Sequence, residues 1–493
     1  MDAICVFAAA LAFYRITLAP TVIWGDSAFL AMEARRGSVR LATAGDHPLF
    51  VLVGHLFSKL PGEVARNINF EAAVFGALAV MLVYVCARQL GTSRLAATVG
   101  AAALCVSHTF WLHSVVAEVY TTNAFFVAAT LTLLIAWRRT QHWKWLAASA
   151  LVFAVGLTNH LVLATMAPAA LAFIAVTKAR ALFTRSALVG VSGLAAVCLV
   201  LVIVQPEPVA STFRSFWYGP PGISEYLTLD FQPAATMREA GYYVLYLIYQ
   251  FPSVSLLLGV VGALILLRDE RPLATLLLLT VAVNAFGFIR HTVWPSAGNA
   301  KYVFYIADYV VFSILSAVGA HDVMRRLGDR PPFGRLVWAS ALVAGVALMP
   351  PVVYAIAPAA VTRAGVDVLH SRALPYRDNE RFFLNPNKHG EVGARRFGEE
   401  ALQLVKPSAV IFADYTPFTV LRYLQAVEGR RRDVLLASPR TVGATVRVRW
   451  IVDGDHRRPT YLAALTPGYY DFSGLTGDYD LVPAGPLIEI RPR

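Results

Sequence analysis

The stretch AICVFAAALAFYRITLAPTVI, residues 3–23, runs directly into Trp24-Gly25-Asp26-Ser27, and its reading decides the fold. Its apolar length is that of a helix crossing ~30 Å of hydrocarbon. It resembles a secretory leader in position only. No basic segment precedes it, and Leu18-Ala19-Pro20 is a poor cleavage site, so a mature helix is expected. Outward from it, comparable runs recur along the chain. They define about eleven spans, centred near residues 12, 78, 103, 128, 151, 169, 195, 253, 280, 311 and 346.

Composition agrees. The 493 residues are 57% hydrophobic and only 15% charged, where a soluble chain carries about a quarter charged residues. Mean hydropathy is +0.57. The solvent for most of this chain is therefore lipid. The net charge of +12 raises the question of nucleic acid, but the basic residues sit where cytoplasmic loops are expected, and no nucleic-acid partner is implied. Cys5, Cys86, Cys105 and Cys198 all fall inside apolar runs without disulfide or metal spacing, as small buried hydrophobes do.

With the N-terminus in the cytoplasm, five short loops on that side carry the basic residues. They are Arg88/Arg94, Arg138/Arg139/Lys144, Lys178/Arg180/Arg185, Arg268/Arg271 and Arg325/Arg326/Arg330/Arg335. The longer stretches, about 20–66, 206–240, 291–301 and everything after 358, then face outward. The expected division is a helical membrane domain over 1–358 and an extracytoplasmic soluble domain over 359–493. Within 20–66, Phe29–Arg36 reads as a short amphipathic helix and Leu49–Leu60 as a more apolar one, both lying along the interface. A second span from Pro48 to Leu60 is the alternative. In the tail, helical periodicity over Glu391–Leu404 and Phe418–Val427 alternates with strand-like Ala409–Phe412 and Asp433–Leu436, which predicts a small α/β domain.

Ionisable residues near membrane spans are costly, so their placement is informative. Asp26, Asp46, His47, Glu118, His160, Arg290, His291 and Lys301 all map to the outer ends of helices. Asp26 either caps the helix that follows or acts as a general base toward an acceptor hydroxyl. Asp46 and His47 supply a second acid and a donor, or form an ordinary turn. Glu118, set among apolar neighbours, calls for a partner and is either a site carboxylate or half of an ion pair. Arg290, His291 and Lys301 bracket one loop and either hold a phosphate or reach for lipid headgroups. There is no Gly-rich P-loop and no dinucleotide fingerprint. Outside the cytoplasm, an activated donor would then be lipid-linked.

Three ordered stretches resemble the transmembrane protein 260-like family. They are Thr17-Leu18-Ala19-Pro20-Thr21-Val22-x-Trp24-Gly25-Asp26-Ser27 with Pro48-Leu49-Phe50, Phe110-Trp111 with Glu118-Val119-Tyr120-x-x-Asn123, and Gly156-Leu157-x-Asn159-His160-Leu161. The likeness is best over about residues 11–170 and looser to about 320. Tyr415-x-x-Phe418 and Glu428-Gly429-Arg430-Arg431-x-Asp433-Val434 resemble the soluble tail of some members. Ala28-Phe29 replaces the usual Gly-Glu, and Thr43–His47 replaces a His-Pro-Pro-Gly stretch, so the acceptor is the part least secured.

The resemblance implies a GT-C glycosyltransferase fold, a bundle of about eleven transmembrane helices with interfacial helices in the first outer loop. It implies a polyprenyl-phosphate sugar donor, with mannose favoured, and a catalytic Asp in that loop, here Asp26. The expected scheme is inverting transfer to a hydroxyl of a protein or glycan, at the outer face of a bacterial plasma membrane. Arg290, His291 and Lys301 would hold the phosphate. Trp24, Asp46, His47, Glu118, Tyr120, Asn123, Asn159, His160 and Tyr302 would line the substrate cleft. No metal is required, although Mg or Mn on Asp26 with Asp46 or Glu118 is compatible. The alternatives are a lipid-sugar flippase or transporter, an enzyme glycosylating a cell-envelope glycan or lipid, and a membrane-anchored assembly protein.

Overall fold

The computed structural model describes residues 1–37, 39, 46–183, 185–204, 232–290, 301–326, 332–367, 371–437, 446–447, 458–466, 469–471, 475 and 477–493. Among the described residues, six helical stretches are long and apolar enough to cross a bilayer: Val64–Gln89, Tyr120–Thr140, Leu161–Leu182, Arg271–Ile289, Lys301–Arg326 and Leu336–Ala364. Asp2–Thr17, Arg94–Cys105, Trp143–Leu157 and Arg185–Val204 are helices at four more of the expected centres. The chain is a multi-pass membrane protein.

The eleventh centre, near residue 253, is corrected by the structure. It falls on the break between Pro233–Gln250 and Ser255–Asp269, two helices bent by 111°. The cause is local. Pro252 disfavours helical backbone at the residue before it, and Phe251 sits at φ −126°, ψ 61°. An apolar run reads the same whether or not a proline divides it into two axes.

Helix Lys301–Arg326 is almost wholly enclosed by its neighbours, whereas Leu336–Ala364 turns most of its surface outward. Close packing at the centre depends on small residues. A Cβ on Gly262 would stand 2.0 Å from the Leu315 carbonyl oxygen, and one on Gly319 would stand 2.0 Å from that of Leu258. Helices Ser255–Asp269 and Ile306–Arg326 therefore touch backbone to backbone, as small residues permit between membrane helices.

The two predicted interfacial helices are present as Asp26–Arg36 and Pro48–Phe57. The second has 10 residues, about 15 Å of helix, too short for a second span. Gly37, at φ +66°, ends the first in the left-handed conformation that glycine adopts without penalty.

Beyond the bundle, whose last helix continues past the expected boundary to Ala364, the tail forms a five-stranded sheet in the order β2-β1-β4-β7-β6. The strands are β1 Val410–Phe412, β2 Leu435–Ala437, β4 Thr460–Leu462, β6 Tyr479–Ala484 and β7 Leu487–Pro492; β3 Val446–Arg447 pairs separately with β5 Tyr470–Asp471. β2, β1 and β4 are parallel, and β7 and β6 are antiparallel. Helices Gly393–Leu404 and Tyr415–Ala426 pack beside them.

The tail does not hang free of the bundle. Val22, Trp24, Ala28, Phe50, Ile68, Phe397, Val420, Leu421 and Leu424 share one apolar cluster drawn from both parts. Polar contacts secure the join. Arg395 donates to Glu63 at 3.0 Å and bidentately to Glu428 at 2.9 and 3.1 Å. The Ala65 N–H donates to Tyr423 Oη at 3.0 Å, and the Lys388 N–H to the Thr17 carbonyl at 3.0 Å.

Candidate active site

The helix Asp26–Arg36 begins on Gly25, whose φ of +72° and ψ of −131° form a turn that side-chain-bearing residues rarely make. Gly25, not Asp26, is the N-cap, and no side chain caps this helix. Asp26 occupies the first helical position with its carboxylate exposed. The structure thus removes the capping role and leaves a carboxylate at the positive end of a helix dipole, where an anion is favoured. Tyr415 Oη, from the tail, donates to Asp26 Oδ1 at 2.6 Å.

Around Asp26 several predicted residues converge. Ser27 Oγ donates to Glu118 Oε1 at 3.5 Å. Burial, reinforced by the charge of Asp26, holds the Glu118 carboxyl well above the ordinary carboxylate range. His47 Nδ1–H donates to the Asn159 carbonyl at 2.7 Å, and its ring lies 4.9 Å from that of His160. His160 Nδ1 accepts from the Val162 N–H at 3.1 Å, so in its neutral form the proton is on Nε2. Burial depresses both imidazoles below their usual value, and for His160 the neighbouring His47 adds to the effect. The two rings are therefore neutral hydrogen-bonding groups.

Tyr120 stands beside His160, with ring centroids 5.5 Å apart, and beside His113 at 4.9 Å. Asn159 Nδ2 donates to the Val119 carbonyl at 3.1 Å, while its buried Oδ1 has no partner among the described residues. Asn123 is buried with both side-chain polar atoms likewise unmatched. Buried amides are normally satisfied, so these atoms are available to a water or a polar ligand atom. Asp46 stands next to His47 and contributes charge there.

Other predicted residues are placed differently. Trp24 is buried with its ring 5.2 Å from Phe397, so it serves as the packing contact between bundle and tail. Lys301 is buried in an ion pair with Glu239 at 3.0 Å. Tyr302 lies within charge range of Glu118, and its carbonyl accepts from Tyr309 Oη at 2.9 Å. Arg290 is half-buried at the end of helix Arg271–Ile289. His291 lies outside the described residues. Within the bundle, Asn284 accepts from Thr165 at 2.9 Å and donates to Asp308 at 3.1 Å, and Asp308 accepts from Tyr243 at 3.1 Å.

Glu239 and Asp308 are buried acids that sequence reasoning did not single out, and Tyr415 entered it only through its resemblance to the tail of some family members. Nothing local in the sequence paired Tyr415 with Asp26, which lies 389 positions away. Glu239 and Asp308 were findable as acids inside otherwise apolar stretches. Among the described residues, no group of three or more His, Cys, Asp or Glu side chains gathers to hold a metal ion.

Residues 43–182 match the family model of the protein O-mannosyl-transferase TMEM260 N-terminal domain. The segment includes His47, Glu118, Tyr120, Asn123, Asn159 and His160; Asp26 precedes it. The chain is 31% identical over 134 residues to the mouse (Mus musculus) protein O-mannosyl-transferase TMEM260, a match covering 27% of this chain and 19% of that protein. The chain thus spans about a fifth of that relative's length. Among solved structures, the apo oligosaccharyltransferase of Archaeoglobus fulgidus is similar with a TM-score of 0.53 at 13% identity, over 93% of this chain and 69% of that one. The S. cerevisiae protein O-mannosyltransferase Pmt1–Pmt2 complex bound to the sugar donor is similar over 41% of this chain and 33% of that one, with a TM-score of 0.33 at 16% identity. The fold is similar to that of the Archaeoglobus fulgidus oligosaccharyltransferase, a mostly helical membrane bundle, here with a small sheet-containing domain at its C-terminal end.

Proposed function

We propose that this chain is a membrane glycosyltransferase that moves a sugar, mannose by preference, from a polyprenyl-phosphate donor to an acceptor hydroxyl, most simply a protein Ser or Thr, on the extracytoplasmic face. The observation that carries the proposal is Asp26, an exposed carboxylate at a helix N-terminus within charge range of Glu118 and His47, with the His160 ring beside that of His47. The name of the mouse relative and the fold likeness support the class of reaction.

In this scheme Asp26 takes the proton of the acceptor hydroxyl as its oxygen attacks the anomeric carbon. The bond from that carbon to the phosphate oxygen breaks on the opposite side, and its electron pair leaves with the polyprenyl phosphate. Configuration inverts. Arg290 and His291 meet the charge that develops on the leaving phosphate. Lys301, paired with Glu239, anchors the segment Lys301–Tyr305 to helix Pro233–Gln250. Glu118, held protonated by burial, donates to substrate oxygen, and the neutral rings of His47 and His160 complete the floor with Asn123, Asn159 and Tyr120. No step is assigned to a divalent cation.

Movement of a lipid-linked sugar across the bilayer is a second reading, favoured by the bent pair Pro233–Gln250 and Ser255–Asp269 and by the buried Asp308. One assay separates the two. Purified protein is given short-chain polyprenyl-phosphate-mannose and membrane and secreted acceptors, with Asp26→Asn beside the wild type. Covalent transfer that is lost in folded Asp26→Asn is the expected result. Equal transfer by both removes Asp26 as the base, and donor crossing a vesicle without any transfer favours transport.

A further inference from the structure

The hydrogen bond from Tyr415 to Asp26 is short, 2.6 Å, as expected for a hydroxyl donating to an ionised carboxylate. Its donor is held by an unusually well-braced piece of the tail. Tyr415 is the first residue of helix Tyr415–Ala426, immediately beyond β1. Asp414 caps that helix by accepting from the Thr416 N–H at 3.3 Å. Asp414 is itself buried, paired with Arg372, and accepts from Tyr470 Oη at 2.7 Å. Arg372 in turn lies over the ring of Tyr469, 3.9 Å from its centroid.

The same end of the domain has a general significance. β1 is flanked by parallel β2 and β4, and open parallel sheets place their ligands beyond the carboxyl ends of the strands. Here the residue just past that end reaches Asp26. The contact is supported on the bundle side too, because helices Asp26–Arg36 and Tyr415–Ala426 pack together through Ala28, Val420, Leu421 and Leu424.

We infer that Tyr415 is a positioning residue for the transfer step, and that the tail is therefore part of the active site and not an appended acceptor-binding module. The phenol fixes Oδ1 and so turns the other carboxylate oxygen toward the acceptor. A base held within a few tenths of an ångström of its working geometry contributes rate without altering donor affinity. The inference rests on Asp26 being the base.

The test is a double-mutant cycle on the full-length protein with polyprenyl-phosphate-mannose as donor. Tyr415→Phe removes one oxygen and keeps the ring. It is expected to lower kcat about tenfold while leaving the donor KM and the thermal midpoint unchanged. In the Asp26→Asn background the same change is expected to add nothing to the residual rate, since the geometry it serves has been lost. Tyr415→His, which retains a donor, is expected to restore part of kcat. Wild-type kcat in Tyr415→Phe alongside an inactive Asp26→Asn would overturn the inference and leave the base assignment standing. A tenfold loss on top of Asp26→Asn would also overturn it, because Tyr415 would then act independently of Asp26. Full transfer by Asp26→Asn overturns the base assignment itself, whatever Tyr415→Phe does.

Discussion

Lys301 Nζ and Glu239 Oε2 lie 3.0 Å apart, with side chains only 2% and 1% exposed. The pair ties the turn that opens helix Lys301–Arg326 to helix Pro233–Gln250. Such a pair is worth little against a well-packed apolar substitute, yet breaking it from one side takes a countercharge from a buried ion. Lys301→Met and Glu239→Gln are each expected to cost about 3–5 kcal/mol. The double variant should recover much of that loss. Thermal unfolding in detergent of the two single variants and the double one checks this, and additive losses would contradict it.

Glu118 offers a pH test. Its carboxyl is held well above the ordinary range by burial and by Asp26. The protonated form, assigned here as a hydrogen-bond donor to substrate, is therefore present at lower pH and lost as pH rises through the raised value. Transfer should decline on the alkaline side above the ordinary carboxylate range. Glu118→Gln, which keeps the donor and cannot ionise, should stay within about threefold of the wild-type rate and lose that decline. An unchanged alkaline limb in Glu118→Gln would exclude Glu118 as its source.

Arg395 gathers three carboxylates, donating to Glu63 and Glu428 and pairing with Glu399 at 3.0 Å. Glu63 belongs to the bundle side of the join and Glu428 to the tail. Removing the guanidinium leaves these acids facing one another. Arg395→Ala is expected to loosen the docking of residues 371–437, seen as faster hydrogen exchange there, while the helix Val64–Gln89 stays protected. Arg395→Lys should rescue only in part, since an ammonium cannot reproduce the bidentate contact. Equal exchange in wild type and Arg395→Ala would show that the apolar cluster alone holds the tail.

Gly319 is a packing test within the bundle. A Cβ there meets the Leu258 carbonyl oxygen and carbon at 2.0 and 2.8 Å, all of it backbone, so no side chain can swing aside. Gly319→Val is expected to destabilise by at least about 1–3 kcal/mol and to lower the yield of folded protein. By contrast, Gly345 has nothing within 4 Å of an added Cβ, and Gly345→Ala should leave the melting temperature nearly unchanged.

Much of the fold was legible because the relevant signals are local. Ten of the eleven span centres coincide with helices, and the two helices and two strands expected in the tail begin within a few residues of their places, whereas helix Asn379–Leu384 and strands β3 to β7 were not anticipated. The exception at residue 253 arose because hydropathy measures how apolar a run is, and Pro252 changes its direction without changing that. The clustering of the candidate site was legible in part. His47, Glu118, Tyr120, Asn159 and His160 were expected at one end of the bundle, and the structure brings them near one another. The packing of the Trp24 ring on Phe397 is a contact that no local pattern could name.

The sequence by itself determined that this chain lives in a membrane, the order of its spans and the end of the bundle where its polar residues collect. Apolar transfer free energy accumulates residue by residue along a run, so it can be summed without knowing the fold. Only the tertiary structure decided that Asp26 is paired with Tyr415, that Lys301 is neutralised by Glu239, and that the tail closes onto the bundle. Those partners lie 389 and 62 positions apart, and a hydrogen bond or ion pair acts over about 3 Å. Which groups come within that range is set by how the helices and the sheet pack.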